Sequence, residues 1–205
     1  WIVLITIPLG IVSAVRKDRF CDHLIRIITI LGISIPAFWL GYLLLTAFAI
    51  RIPVFKVVDY GNLRSLILPS ITLAASVVSS SVRMLRATIL ENLKKDYVIY
   101  AQARGLPAAQ ILWKHVLKNA LPPMVTLFFQ NIGMMIGGSA IVESVFSWPG
   151  LGNYFVSAIV NRDLPVITGC VLVLGLIFVI CNTVGELVNR ALNPRMISGK
   201  EGKVV

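Results

Sequence analysis

Charged side chains are missing from five windows of this chain, residues 1–15, 27–50, 66–82, 121–142 and 164–185. The first is cut short by the start of the chain, and the other four approach the ~17 to 25 residues a helix needs to cross a hydrocarbon core. The longest polar interruption between them, residues 96–123, still reads as helix. It is broken at Gly105-Leu106-Pro107, where Gly can close one helix and Pro can sit in the first turn of the next. In the second piece Ala108, Ala109, Leu112, Trp113, Val116, Leu117 and Ala120 fall on one face, with Gln110, Lys114 and Lys118 opposite. The pattern predicts a broken amphipathic helix with an apolar side to bury and a basic side to offer.

Within the windows, breakers and polar residues mark departures from plain apolar helix. Gly32, Ser34 and Pro36 predict a kink in the second, either a packing feature or one facing a pore. Ser76, Ser79, Ser80 and Ser81 in the third allow close helix packing or line a polar route. After it, Arg83, Arg86, Glu91, Lys94, Lys95 and Asp96 keep helical spacing, so that helix is expected to run on past the bilayer and into residues 96–123. The fourth is expected to start after Pro122-Pro123; its Gln130 and Asn131 need a neighbouring helix or water in a cavity, and Met134 and Met135 read as core filling. The link 51–65, with Pro53, Asp59, Gly61 and Asn62, is a loop too short for a domain. Segment 143–165 combines a Trp148-Pro149-Gly150-Leu151-Gly152 turn, an aromatic-apolar run and Asn161-Arg162-Asp163, and is long enough to fold back partway into the outer leaflet.

Composition agrees with an integral membrane protein: 57% of the 205 residues are hydrophobic and 14% charged, with a mean hydropathy of +0.86. Trp1 lies within an apolar run, without an initiator Met or a basic flank, so an upstream helix is expected. The net charge of +10 is unevenly distributed. If each window spans, 15 of the 19 Lys and Arg fall on one side, and only Arg51, Lys56, Arg64 and Arg162 on the other. The positive-inside rule makes the first side cytoplasmic, together with residues 96–123, and nucleic acid need not be invoked. Cys21, Cys170 and Cys181 do not form a disulfide framework, the last two lying ~16 Å apart along one helix.

Soluble-enzyme signatures are absent: no GxxxxGK[ST], HExxH or CxxC occurs, and His23 and His115 lie in basic segments without metal-ligand spacing. No Asp, Glu, Lys or Arg lies within the windows, whereas ion-coupled transporters keep such groups at membrane depth. A transporter of this composition is passive or takes its energy from another polypeptide.

A distinctive set of segments runs along the chain: Ser34-Ile-Pro-Ala-Phe-Trp39, Leu68-Pro69, Arg83-Met-Leu-Arg86, Asp96-Tyr97 with Ala101-Gln-Ala-Arg-Gly-Leu106, and Lys114-His-Val-Leu-Lys-Asn-Ala-Leu-Pro122. Further along come Gly137-Gly138, Val142-Glu-Ser-Val-Phe-Ser-Trp-Pro-Gly-Leu-Gly152, Asn161-Arg-Asp-Leu-Pro165 and Asn193-Pro-Arg195. In combination they resemble the transmembrane permease subunits of ABC importers, in the dipeptide, oligopeptide and nickel branch, over nearly all 205 residues. The superfamily's Glu-Ala-Ala motif, registered on Gly105, meets Ile99-Tyr100-Ala101 here, so its Glu and first Ala are missing.

The resemblance implies an all-α, polytopic helical bundle of the type I importer permease fold. It would form a single domain over 1–205, with five spans visible and a further N-terminal one expected. Residues 96–121 would be the coupling segment that docks on an ATPase, through Ala101, Arg104, Gly105, Leu106, Pro107, Leu112, Lys114 and His115. Ser79, Ser80, Gln130, Asn131 and Ser139 are candidates for lining the pathway. Trp148, Pro149, Gly150, Arg162 and Asp163 are candidates for an outer gate or a binding-protein contact. The implied partners are a second homologous permease in a heterodimer, two ATPase subunits and an extracytoplasmic solute-binding protein, in a bacterial cytoplasmic membrane with its lipid. ATP and Mg would be bound by the ATPase chains; no cofactor or metal is expected on this one. Peptides, nickel and metal chelates all fit, with a slight lean to nickel or chelates in the short external loop and in Val179-Ile-Cys-Asn182. The alternatives are a channel or secondary carrier acting alone, and a scaffold that transports nothing.

Overall fold

The computed structural model describes residues 1–56 and 62–192, which leaves Asp59 and Gly61 of the loop and the Asn193-Pro194-Arg195 segment outside the described residues. The elements are α1 (Ile2–Val15), α2 (Phe20–Ser34), α3 (Ala37–Leu45) with a π-helical continuation over Thr46–Arg51, and α4 (Ile67–Asn92) after a 3₁₀ turn at Leu63–Leu66. They continue with α5 (Asp96–Ala103), α6 (Ala108–Ile111), a π-helical turn over Leu112–Val116, α7 (Leu117–Gly138), α8 (Ala140–Val145), α9 (Leu151–Val160) and α10 (Leu164–Leu192). Among the described residues there is no strand.

Helix α4 is the hub, packing against α1, α2, α3 and α7, while α10 leans on α7 and α9. Small residues set the close approaches: a Cβ built on Gly10 of α1 would stand 2.7 Å from Leu85 Cδ2, and one on Gly133 of α7 would stand 2.8 Å from Phe178 Cδ2 of α10. The main core sits at the basic end of the bundle. Ala14, Leu85, Ile89, Val98, Ala101, Ile111, Val116, Leu117, Ala120 and Met124 form one buried cluster. By contrast α10 buries only Cys170 and Gly185 and leaves Leu172, Leu176 and Val179 open, as expected of a surface that meets lipid or another chain.

Three helical stretches, Leu63–Asn92, Ala108–Gly138 and Leu164–Leu192, are long and apolar enough to cross a membrane, or four if the α2 and α3 pair counts as one. Every apolar window carries helix, but one departs from a simple span. The kink expected in the second window is a turn of 101° between α2 and α3. Pro36 lacks an N–H and drives Ile35 into extended geometry (ψ 122°), so the helix stops and restarts in a new direction.

The α4 helix runs on past its apolar window as its charge spacing predicts, but it stops at Asn92 and does not continue into residues 96–123, because Lys95 turns to extended geometry (ψ 149°) before α5 begins at Asp96. Expecting the fourth helix to begin after Pro122-Pro123 is corrected: α7 starts at Leu117 and carries both prolines inside. Their missing N–H groups leave the carbonyls of Lys118 and Asn119 without their i+4 donors, within a helical stretch that runs from Ala108 to Gly138.

Candidate functional site

The basic-end segment is a break with defined chemistry. Helix α5 closes at Arg104, and Gly105 adopts φ +75°. The N–H of Leu106 donates to the Ala101 carbonyl at 3.2 Å, and the N–H of Gly105 to that of Gln102 at 2.9 Å. This is the paired bonding of a Schellman ending, which satisfies carbonyls the helix would leave bare. Pro107 then stands at the cap position of α6 with φ −66° and ψ 145°, its carbonyl accepting from Ile111 N–H at 3.1 Å. Upstream, Tyr97 Oη donates to Asn92 Oδ1 (2.9 Å) and Asn92 Nδ2 to the Thr88 carbonyl (2.8 Å), which pins α5 to the last turn of α4.

Residues that the sequence grouped as one coupling surface divide by depth. Ala101 is buried in the main core, and Leu106 and Leu112 are half-buried against it. Arg104, Gly105, Pro107 and Lys114 face outward. His115 is half-buried on a cavity of about 720 Å³ that it shares with Thr88, Glu91, Lys95, Tyr97 and Asn119.

The predicted apolar face also shifts. Ile111 is buried in place of Ala108 and Ala109, and Trp113 is 62% exposed. Val116, Leu117 and Ala120 are buried as their spacing predicts; within the π-helical turn over Leu112–Val116, which winds less per residue than an α-helix, Trp113 leaves the face.

The pathway candidates do not converge. Ser79 is buried where α2 approaches, packed against Gly32, and donates to the Ala75 carbonyl at 2.7 Å. Ser80 is exposed and donates to the Val77 carbonyl at 3.0 Å. Gln130 is exposed and Asn131 half-buried on α7. Ser139 is buried and donates to Glu143 Oε1 at 2.6 Å, which places it in a different assembly.

That assembly is organised by Glu143, which the sequence reading did not single out. Its Oε2 accepts the Asn153 N–H at 2.8 Å in the first turn of α9, and its backbone carbonyl accepts the Trp148 N–H at 2.7 Å. A carboxylate at a helix N-terminus is favoured by both the free N–H groups and the dipole. The Trp148 carbonyl in turn accepts from Gly150 N–H (2.9 Å) and Asn153 Nδ2 (3.2 Å). The Glu143 carboxylate occupies the space a side chain on Gly150 would need, and the backbone of Ala140 does the same at Gly152.

Trp148, Pro149 and Gly150 therefore belong to one packed turn before α9. Arg162 and Asp163 lie beyond its other end, ~15 Å away along the ten-residue helix. There Arg162 takes φ +56°, Asp163 N–H donates to the Ala158 carbonyl at 2.9 Å, and Asp163 Oδ1 accepts the Val166 N–H at 3.2 Å as α10 begins. The outer candidates thus form two turns, not one site.

A second unforeseen feature is the pair of buried Asp22 and half-buried Arg86, which joins α2 to α4 at the basic end. Both residues border apolar windows, but 64 positions separate them, and no local pattern predicts that they meet.

A family model described as the binding-protein-dependent transport system inner membrane component matches residues 6–198. Over 194 residues the chain is 38% identical to the glutathione transport system permease protein GsiC of Escherichia coli K12, an alignment covering 95% of this chain and 63% of that protein. It is 39% identical, with the same coverage, to the protein of that name from Salmonella paratyphi A. The chain thus spans 63% of the length of these curated relatives.

Proposed function

This chain belongs to the family of binding-protein-dependent transport system inner membrane components, and from that premise we propose that it is a permease subunit of an ATP-driven importer in a bacterial cytoplasmic membrane. It alternates access for a solute delivered by an extracytoplasmic binding protein. Energy comes from ATP hydrolysis on two partner chains, which hold the nucleotide and Mg, and a second, related permease completes the pathway.

The observation that carries this reading is the placement of α5 to Val116. Its outer surface presents Arg104, Gly105, Pro107 and Lys114, while its inner surface is built into the core that α4 and α7 share. A segment seated this way transmits a push. Close-packed interiors barely compress, so displacing Val98, Ala101, Ile111 or Val116 displaces Leu85 and Ile89 of α4 and Met124 of α7. A helix resting passively on the bilayer would instead turn its apolar face to lipid.

For the solute, the relatives named for glutathione transport favour a small peptide over the nickel and metal-chelate alternatives. The lean towards metal drawn from the external loop and Val179-Ile-Cys-Asn182 has no further support, since part of that loop lies outside the described residues.

The test is to purify the complex from membranes and reconstitute it in liposomes with its binding protein. Uptake of labelled glutathione, a sulfur-free tripeptide and nickel is then measured with and without internal ATP. Expected are co-purifying ATPase chains and ATP-dependent uptake of the peptides. Uptake without ATP by this chain alone would establish the channel or carrier alternative.

A further inference from the structure

The carboxylate of Asp22 sits where α1, α2 and α4 meet at the basic end, with no exposed surface. It accepts from Ser13 Oγ of α1 (2.5 Å) and from the Asp18 N–H of the intervening turn (2.9 Å). Arg86 of α4 donates to it twice, Nε to Oδ1 at 2.8 Å and Nη2 to Oδ2 at 2.6 Å. One side chain of α2 therefore holds α1, its own leading turn and α4. Asp18 is kept at φ +59° within that turn, a left-handed conformation that few non-glycine residues adopt.

Along α4, Arg86 adjoins Leu85, which is fully buried in the core shared with α5 and α6, as is Ile89 one turn on. At ~100° per residue, Leu85 meets the coupling segment while Arg86 turns to a neighbouring face, towards α2. The apolar contact of Leu85 with Gly10 of α1 lies at the same level. Apolar packing alone lets one helix slide or roll against another. A two-pronged guanidinium–carboxylate pair resists both, because its parallel bonds are lost together. Relative to well-packed apolar residues of equal bulk, such a buried pair adds little net stability. Its distinctive contribution is orientation.

We propose that the Asp22–Arg86 pair is the joint through which displacement of the coupling segment, carried by α4, moves α1 and α2 as one body with it. The chain turns by 101° after Ser34, so α3 lies outside this polar joint and meets α4 through separate packing. Asp22 and Arg86 are thus positioning residues for transport, and the inference rests on the importer reading given above.

The test uses the whole transporter, assembled from its full chains in liposomes, with labelled glutathione as the probe. Removing one partner strands a buried charge, so the informative variant is the apolar double Asp22→Leu with Arg86→Met, compared with Arg86→Lys. Expected is a double variant that assembles and keeps basal ATP hydrolysis, while glutathione imported per ATP falls about tenfold. Arg86→Lys, which preserves the charge but not the fork, should recover part of that ratio. A purely structural pair would alter the amount of complex and leave the ratio unchanged.

Spin labels at Phe20 and Ala87 in a complex with the pair intact give a second measurement. Their separation should be the same in the nucleotide-free and ATP-trapped states, and a change of about 5 Å, one helical turn, would overturn the proposal. A double variant with an unaltered import ratio beside a transporting wild type overturns this inference alone. Failure of the wild-type complex to show ATP-dependent uptake overturns the importer reading and this inference with it.

Discussion

The N–H of Leu106 reaches back over Gly105 to the carbonyl of Ala101, and this 3.2 Å bond sets the angle at which α5 hands over to α6. It forms only because Gly105 adopts φ +75°. Nothing lies within 4 Å of a Cβ at that position, so the requirement for glycine is conformational and not steric.

Gly105→Val is therefore expected to cost about 1–2 kcal/mol from the left-handed backbone, a strain relieved by opening the turn. The predicted phenotype is a stable complex with ATP-driven uptake lost, and Gly105→Asn, which tolerates that conformation, retaining most of it. Uptake and ATPase assays on the reconstituted variants decide the matter; normal uptake by the valine variant would sink the assigned role.

Glu143→Ala removes the acceptor for Ser139 Oγ and for the first turn of α9. Ser139 Oγ keeps the Ile136 carbonyl at 3.1 Å as an acceptor, so the expected cost of about 1–3 kcal/mol falls on the Asn153 N–H left unpaired. Hydrogen exchange should show the gain in amide exchange concentrated at Leu151–Val160, with α4 unchanged. Uniform acceleration across the chain would contradict a local capping role.

Two glycines near each other in sequence should behave differently. A Cβ on Gly152 would stand 2.5 Å from Ala140 Cα, whereas nothing lies within 4 Å of one on Gly138. Gly152→Ala forces α8 and α9 apart, for a loss of about 1–3 kcal/mol, and Gly138→Ala should be neutral or slightly stabilising. Thermal unfolding of the two variants in detergent compares them directly, and equal midpoints would refute the close approach.

At the junction of α9 and α10, adjacent substitutions should act in opposite directions. Arg162→Gly relieves a φ of +56° and is expected to gain about 0.5 kcal/mol, strain relief less the added chain entropy. Asp163→Ala removes the acceptor for Val166 N–H and should cost about 1 kcal/mol. Midpoints moving the same way would show that the turn is not held as described.

Features that depend on neighbours in sequence were readable without the structure. The break at Gly105-Leu106-Pro107 follows from the backbone freedom of glycine and the constraint of proline, and the continuation of α4 to Asn92 follows from its charge spacing. Where local rules compete, the reading slipped. The apolar face expected from Ala108 and Ala109 onward begins at Ile111 instead, and both prolines sit inside α7, where neither can donate to the helix ladder. The serines in particular could not be sorted by sequence: Ser79 packs against Gly32, Ser80 is open, and Ser139 serves Glu143.

By itself the sequence determined the apolar helices, their division by a basic segment and that segment's bend, because hydrophobic transfer and backbone preference act residue by residue. Only the tertiary structure decided that Asp22 meets Arg86 and that Glu143 closes on the N-terminus of α9. Those contacts depend on helix direction and rotation, which are set by packing of the whole bundle and leave no periodic mark in the chain. The bend at Gly105 is local, but what it bears on, the core around Leu85 and Ile89, exists only once α1, α4, α5 and α7 have come together.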